Sequence, residues 1–310
     1  MFSIILNMKR DDYMDIKKYE VLLAVIDKGS FIKAASDLGY TQSGITYMMN
    51  SLEKECGFPL LQRSNKGVVL TLEGERLIPE IRQLVQLNKR LEQDFSEVKG
   101  TIEGKVRIGC FSTILYAIVP HIMKIFHNKF PKITFDLVEE NSAGILEQWL
   151  NSGFIDMAFI SRQPQYDYEW IPLKNDPFVI VCHKDSKLAQ YETIPISELK
   201  NQSLFIYRGV DGVDVDIAKY FKRYHVDLFP TFTSCSDYAV LFMIKEKLGI
   251  GMVPELLTKL KEQNFSTLTT RYLDPMASRE IGLAVRNYNE STLAVRNFVK
   301  TVQKYISTEL

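Results

Sequence analysis

Gly29-Ser-Phe-Ile-Lys-Ala-Ala-Ser-Asp-Leu-Gly-Tyr-Thr-Gln-Ser-Gly-Ile-Thr-Tyr-Met-Met-Asn-Ser-Leu-Glu53 reads as two short helices joined by a tight turn. Ser30 is a natural N-cap, its hydroxyl placed to accept a backbone N–H one turn on. Phe31, Ala34, Ala35 and Leu38 then share one helical face, and Gly39 suits the left-handed residue that ends a helix. Thr41 caps the next helix, whose inner face is Ile45, Met48 or Met49, and Leu52. Its outer face carries Gln42, Ser43, Thr46, Tyr47 and Asn50. Small residues at Ala34, Ala35 and Gly39 let the two helices cross closely. The pattern is a helix-turn-helix that offers short polar side chains to a DNA major groove. An ordinary helical hairpin with a polar face has the same pattern, so the neighbouring segments decide.

Working outward, Asp15 to Lys28 forms a helix with a buried stripe of Ile16, Tyr19, Leu22, Leu23 and Ile26. On the other side, two apolar runs in Phe58 to Thr71 flank Ser64-Asn-Lys-Gly67, a hairpin signal. Helix, helix-turn-helix and hairpin make an all-α winged helix-turn-helix. Arg63 and Lys66 lie at the wing, where contacts to the DNA backbone or minor groove are made, and Arg suits a bidentate phosphate grip. Solvated surface charge is the alternative for both.

Residues 15 to 74 resemble the DNA-binding domain of LysR-type transcriptional regulators. The resemblance is carried by Gly29-Ser-Phe-x-x-Ala-Ala, Leu38, Thr41-Gln-Ser-x-Ile-Thr, Leu52-Glu53, Gly57-x-Pro-Leu-Leu-x-Arg63 and Leu70-Thr-x-x-Gly74. It extends more weakly over the rest of the chain. It implies a dimeric or tetrameric regulator of double-stranded promoter DNA with a C-terminal small-molecule sensor, and RNA polymerase as a further partner. Carried over by motif, Gln42, Ser43, Thr46 and Tyr47 face bases and nearby phosphates, with Arg63 at the wing; Ser30, Lys33, Asn50 and Lys66 complete the expected DNA-binding set. One departure is clear. Many members place a basic residue mid-way along the recognition helix, whereas this chain has Met48-Met-Asn50 and no basic residue before Lys54. Phosphate contacts per head are therefore expected to be few and the salt-dependent term modest. Gly44 costs about 1 kcal/mol of helix propensity relative to Ala.

From Leu72 to Val98, Leu77, Ile81, Leu84, Asn88, Leu91, Phe95 and Val98 recur at alternating spacings of four and three, a coiled-coil seam with Asn88 as its polar, register-fixing member. The helix spans on the order of 40 Å at 1.5 Å per residue. Pro79 should kink it. The length and seam favour self-association over a helix packed on its own domain.

Lys99 to Lys105 reads as a hinge, and strands alternate with helices beyond it. The expected strands are Val106 to Gly109, Ile133 to Val138, Asp156 to Ile160, Phe178 to Cys182, Leu204 to Tyr207, Thr231 to Thr233, Ile250 to Val253 and Ile281 to Val285. The expected helices cover 113–130, 143–152, 213–224, 237–247 and 291–306. Breaks at Lys174-Asn-Asp-Pro177 and Leu273-Asp-Pro275 mark two crossings between lobes. The expected organisation is therefore a disordered extension (1–13), the winged head (14–72), a linker helix (73–98) and a two-lobed α/β effector domain like a periplasmic binding protein (99–310). Lobe I covers about 105–174 and 279–310, and lobe II about 175–278.

In such a fold the ligand sits between lobes at strand C-terminal ends. Ser112 and Thr113 follow one strand end, Asn141 and Ser142 a second, and Ser161 a third. Tyr207, Val253 and Pro254 come from lobe II. Their hydroxyls and free N–H groups suit an anion such as a carboxylate. Each Ser or Thr serves equally as a plain helix cap. Arg162 and Arg208 are candidate counter-ions, with surface salt bridging as the alternative.

The chain has 310 residues, with 38 Lys and Arg against 38 Asp and Glu. Zero net charge excludes a histone-like polycation but not a DNA-binding head carried by a larger neutral domain. Cys56, Cys110, Cys182 and Cys235 show no CxxC spacing, so neither a zinc site nor a disulfide frame is expected. Phe2 to Leu6 is too short for a signal-peptide core, Met14 is a candidate start, and no run reaches membrane-spanning length. A cytoplasmic, non-enzymatic protein without cofactor follows. Two other readings remain: an enzyme or small-molecule-binding protein on the α/β half with an accessory head, and a transport-type binding protein. The absence of GxGxxG, P-loop, GxSxG and metal-spaced clusters weighs against the enzyme. A redox role for Cys110, Cys182 or Cys235 has no motif behind it.

Overall fold

The computed structural model describes residues 15–64, 67–98, 103–163, 168–209, 212–227, 231–234, 236–259 and 265–309. The extension expected over residues 1–13 and the wing-tip Lys66 lie outside them, as does the side chain of Arg63. The chain divides into two compact units, one built on the head and linker helix, the other on the α/β region.

In the head, α1 (Ile16–Lys28), α2 (Phe31–Leu38) and α3 (Gln42–Cys56) are capped as their sequences require. Asp15, Ser30 and Thr41 accept N-terminal N–H groups, and Gly29, Gly39 and Gly57 end the helices in the left-handed conformation. Val21, Leu22, Val25, Ala34, Ala35, Ile45, Met49 and Leu52 form the core, which resolves the inner-face choice in favour of Met49. The wing pairs β1 (Leu61–Ser64) with β2 (Gly67–Leu70) in antiparallel register. The Val68 N–H donates to the Gly29 carbonyl at 3.0 Å. Gly67 has φ +114°, and any Cβ there would lie 2.5 Å from the Gly29 oxygen, so glycine is required to seat the wing against the first turn. Glu53 fixes the loop before the wing, its Oε1 accepting from Leu60 N–H at 2.7 Å and Leu61 N–H at 2.9 Å.

The linker α4 runs from Leu72 to Val98 with Pro79 inside it. Its first half belongs to the head. Ile78 and Val85 are buried, Leu77 and Ile81 pack partly against the same core, and the buried guanidinium of Arg82 pairs with Asp27 of α1. Leu77 and Ile81, expected on an intermolecular seam, pack partly against the head of their own chain. A heptad pattern cannot tell which of two adjacent faces a neighbouring domain will take. Further along, Leu87, Leu91, Phe95 and Val98 are 62%, 50%, 56% and 88% exposed. Leu87 falls outside the expected seam. Asn88 is half-buried and donates to Glu92 at 3.1 Å.

In the α/β unit, β3 (Gly104–Cys110) pairs in parallel with β4 (Ile133–Glu139) on one side and β5 (Met157–Ser161) on the other. The helix expected over 113–130 is two, α5 (Ser112–Ala117) and α6 (Val119–Lys129). Pro120 lacks the N–H that would continue the ladder and its ring crowds the preceding turn, so the chain breaks at Ile118. α7 (Ala143–Ser152) covers lobe I. The first crossing is not a break but a single strand, β6 (Glu169–His183). Pro172 and Pro177 disguise it in sequence, because proline argues against a central strand. It carries both across a register shift opposite Ile281 and Gly282.

Lobe II adds β7 (Thr193–Pro195), β8 (Leu204–Gly209), β9 (Gly212–Val213), α8 (Val215–Arg223), β10 (Phe232–Ser234), α9 (Asp237–Lys245), β11 (Ile250–Pro254), α10 (Glu255–Lys259) and β12 (Leu268–Asp274). β8 lies between β10 and β11, parallel to both. β13 (Ser278–Val285) returns to lobe I between β5 and β6, and α11 (Leu293–Glu309) closes the chain. Strands β7, β9 and β12 and the short helix α10 lie outside the expected set. Among the described residues, the strands beyond the wing join one mixed sheet ordered β10-β8-β11-β6-β13-β5-β3-β4.

Candidate functional site

In lobe I the chain leaves β3 for β4 on one side and returns to β5 on the other. In lobe II it leaves β8 for β10 and returns to β11. Both are topological switch points, which open a crevice beyond the strand C-termini. The crevice is lined by Phe111, Thr113, Asn141 and Arg279 from the lobe I side. Phe178, Tyr207, Asp214, Ile217, Asp237, Met252 and Pro254 complete it.

Of the eight expected contacts, Thr113, Asn141, Tyr207 and Pro254 line this cavity. The other four are used elsewhere. Ser112 donates both its N–H and its hydroxyl to Asn141 Oδ1, at 2.9 and 3.0 Å. Ser142 caps α7 by accepting from Ile145 N–H at 3.2 Å. Ser161 is buried and accepts from Gln163 Nε2 at 3.1 Å. Val253 is fully buried in the lobe II core. Sequence position alone could not separate these from the lining residues, because all of them follow strand ends.

Among the described residues, Arg162 and Arg208 do not line this cavity, and the cation that does is Arg279. It is buried at the start of β13, where the ladder sets it opposite Asp176 of β6. Its Nε and Nη2 donate to Asp176 Oδ2 at 3.1 and 2.9 Å, and Nη2 donates to Thr113 Oγ1 at 2.8 Å. Asp176 Oδ1 also accepts from Leu256 N–H at 3.1 Å. Asp214 caps α8, its Oδ1 accepting from Asp216 and Ile217 N–H at 2.9 and 3.1 Å. Burial pushes the Asp214 carboxyl up and raises that of Asp237 to about 6. Tyr116 donates to Glu139 at 2.7 Å, which together with burial pushes its phenol up to about 12, and its ring meets Tyr238 edge-on at 6.1 Å.

The described cysteines are poor nucleophiles. Cys110 is buried, donates to the Phe111 carbonyl, and has its thiol pushed well up by desolvation; burial also raises Cys182 and Cys56. Cys235 lies outside the described residues. Among the described residues no group of His, Cys, Asp and Glu could hold a metal ion.

The head presents a second candidate surface. Gln42, Ser43, Tyr47 and Asn50 are exposed on the outer face of α3, Tyr47 at 75%. Thr46 is half-buried and donates to the Gln42 carbonyl at 2.9 Å. Ser30 spends its hydroxyl on the cap of α2, accepting from Lys33 N–H at 3.4 Å, while the Lys33 side chain is exposed.

Residues 99–307 match the model of the LysR substrate binding domain, and residues 16–75 that of the bacterial regulatory helix-turn-helix proteins of the lysR family. The chain belongs to the LysR family. It is a DNA-binding transcriptional regulator with an effector-binding domain. Among LysR-type relatives, the HTH-type transcriptional regulator YvbU of Bacillus subtilis is 27% identical over 300 residues, covering 96% of this chain and all of that protein. The dual regulator OxyR of Escherichia coli is 24% identical, covering 88% of this chain and 90% of its own length. A full-length OxyR variant from Pseudomonas aeruginosa has the same fold, with a TM-score of 0.77 at 20% identity over 96% of this chain and 95% of that one. CbnR in complex with its target DNA superposes with a TM-score of 0.64 at 18% identity, covering 94% and 99% of the two chains. No helix among the described residues is long and apolar enough to cross a membrane.

Proposed function

We propose that this LysR-type regulator reads promoter DNA with the outer face of α3 and is controlled by a small molecule held between the two lobes of its α/β unit. The cavity at the paired switch points carries the second half of this reading. Residues from both lobes meet there, so a ligand that bridges them favours one lobe arrangement over another. Base contacts fall to Gln42, Ser43, Tyr47 and Asn50. Thr46 contributes less, because its hydroxyl is held by its own helix. Arg63, Lys66 and Lys33 serve phosphates. Leu84, Leu87, Leu91, Phe95 and Val98 form the seam through which copies pair as a dimer or as a tetramer. RNA polymerase meets the assembled regulator at the promoter, and the protein works in the cytoplasm without a cofactor or an enzymatic step.

Burial pushes the Cys110 and Cys182 thiols up, which disfavours at these two positions the thiolate that a peroxide response of the kind that names several relatives would need. The test is a footprint of the full chain on DNA upstream of its own gene, together with its solution mass. A roughly two-fold-symmetric protected site spanning more than one helical turn is expected from an even-numbered oligomer. Sequence-independent protection by a folded oligomer would sink the promoter-proximal reading.

A further inference from the structure

The cleft is short of positive charge. Among the described residues, its lining carries one cation, Arg279, and that guanidinium is already committed to Asp176 and Thr113. Facing it are two more carboxylates, Asp214 and Asp237. Asp214 has one oxygen satisfied by backbone N–H groups. Asp237 is different. It is the first residue of α9, but Ser236 has taken the capping role, accepting from Ala239 N–H at 3.3 Å. Asp237 Oδ1 is wholly enclosed at the cavity and has no hydrogen-bond partner among the described residues. A buried acceptor left without a donor is costly and calls for an explanation.

Part of what an anionic ligand would need is already engaged. Ser112 gives both of its protons to Asn141, and the Thr113 hydroxyl oxygen holds Arg279. A carboxylate in this cleft would meet unsatisfied lone pairs. The free space in this state is about 10 Å³, room for about one water-sized group. An –NH3+ head is of that size and brings three donors, and Tyr207 lines the same cavity.

We propose that the effector is cationic: a small primary amine whose ammonium group donates to Asp237, with Asp214 as second acceptor. This rests on the reading that the effector sits between the lobes, and it replaces the small organic acid suggested by the hydroxyls at the strand ends.

The test uses the full chain and matched probes: benzylamine and butylamine against benzoate and butyrate, read as saturable shifts in melting temperature at neutral pH. The amines are expected to stabilise the protein and the carboxylates not. Asp237→Asn should weaken amine binding by about tenfold or more, equivalent to about 1.4 kcal/mol. Its unliganded melting temperature should equal or exceed that of the wild type, which shows that the variant is folded. Amine binding unchanged in Asp237→Asn overturns the proposal, as does the absence of any amine response. Stabilisation by the carboxylates alone overturns the ligand class but leaves the cleft reading standing if Asn141→Trp, which fills the cleft, abolishes it. A probe that binds Asn141→Trp as tightly as the wild type lies elsewhere, and then it is the cleft reading that falls.

Discussion

At the scale of single residues, Asp237 ties the cleft to a measurable pH dependence. Burial raises its carboxyl from the ordinary 3.8 to about 6, opposed by Arg279 and reinforced by Asp214 and Asp176. The folded state therefore holds this proton more tightly than the unfolded chain does. Between pH 3.8 and about 6 the native protein binds the extra proton, so stability falls as pH rises through that window. Asp237→Asn should remove this component. Its urea midpoint should gain on the wild type as pH rises from 3.8 to above 6, followed by the fluorescence of Trp149 and Trp170. Asp214 shifts in the same direction and leaves a residual slope. Parallel profiles for the two proteins would show that the Asp237 carboxyl is not enclosed. The same residues explain what a linear reading of the cleft can find. Thr113, Asn141 and Tyr207 announce themselves as polar groups at strand ends. Arg279 and Asp237 do not. Arg279 gains its role from a ladder pairing with a residue 103 positions away, and Asp237 from burial that no local pattern encodes.

At the scale of elements, periodicity and caps define the head almost completely, because each helix there is short and its stops are local. α3 then shows how one helix divides its labour. Ile45, Met49 and Leu52 are buried, while Tyr47 on the opposite side is 75% exposed. Removing it should cost the fold little and base recognition more. Tyr47→Ala is expected to weaken binding to the cognate site by about 1–3 kcal/mol, the range of a good base contact, with a smaller loss on random DNA. Gel shifts on the two DNAs, with the melting temperature as a control, decide it. Equal losses on both would make Tyr47 a backbone contact. Gly44 belongs to the same helix. A Cβ there would sit 3.2 Å from the Thr41 Oγ1 that caps it, so the residue costs helix propensity but keeps the cap uncrowded. The elements that escape a sequence reading do so for equally physical reasons. Prolines conceal β6, and Pro120 divides a helix whose apolar pattern runs on across the break.

At the scale of the whole molecule, a chain with no net charge and no basic residue before Lys54 in its recognition helix must bind DNA without a strong electrostatic term per head. Linkage supplies the remedy: a second head joined to the first binds at an effective concentration set by the linker. The linker helix carries the means. Leu77 and Ile81 are engaged by the head, and Leu87, Leu91, Phe95 and Val98 are left as a continuous exposed apolar stripe, a surface that marks an interaction site. A charge in its middle should separate the copies without touching a DNA contact. Leu91→Asp is expected to reduce the solution mass of the assembly and to lower affinity for the cognate site by roughly 10²–10⁴-fold. The slope of log affinity against log salt should fall with the number of heads engaged, since it counts the phosphates neutralised. Ultracentrifugation and a salt series of gel shifts measure all three quantities on one preparation. Lower mass with undiminished affinity would mean that a single head suffices. Lost affinity at full mass would mean that the stripe orients the heads and does not join them.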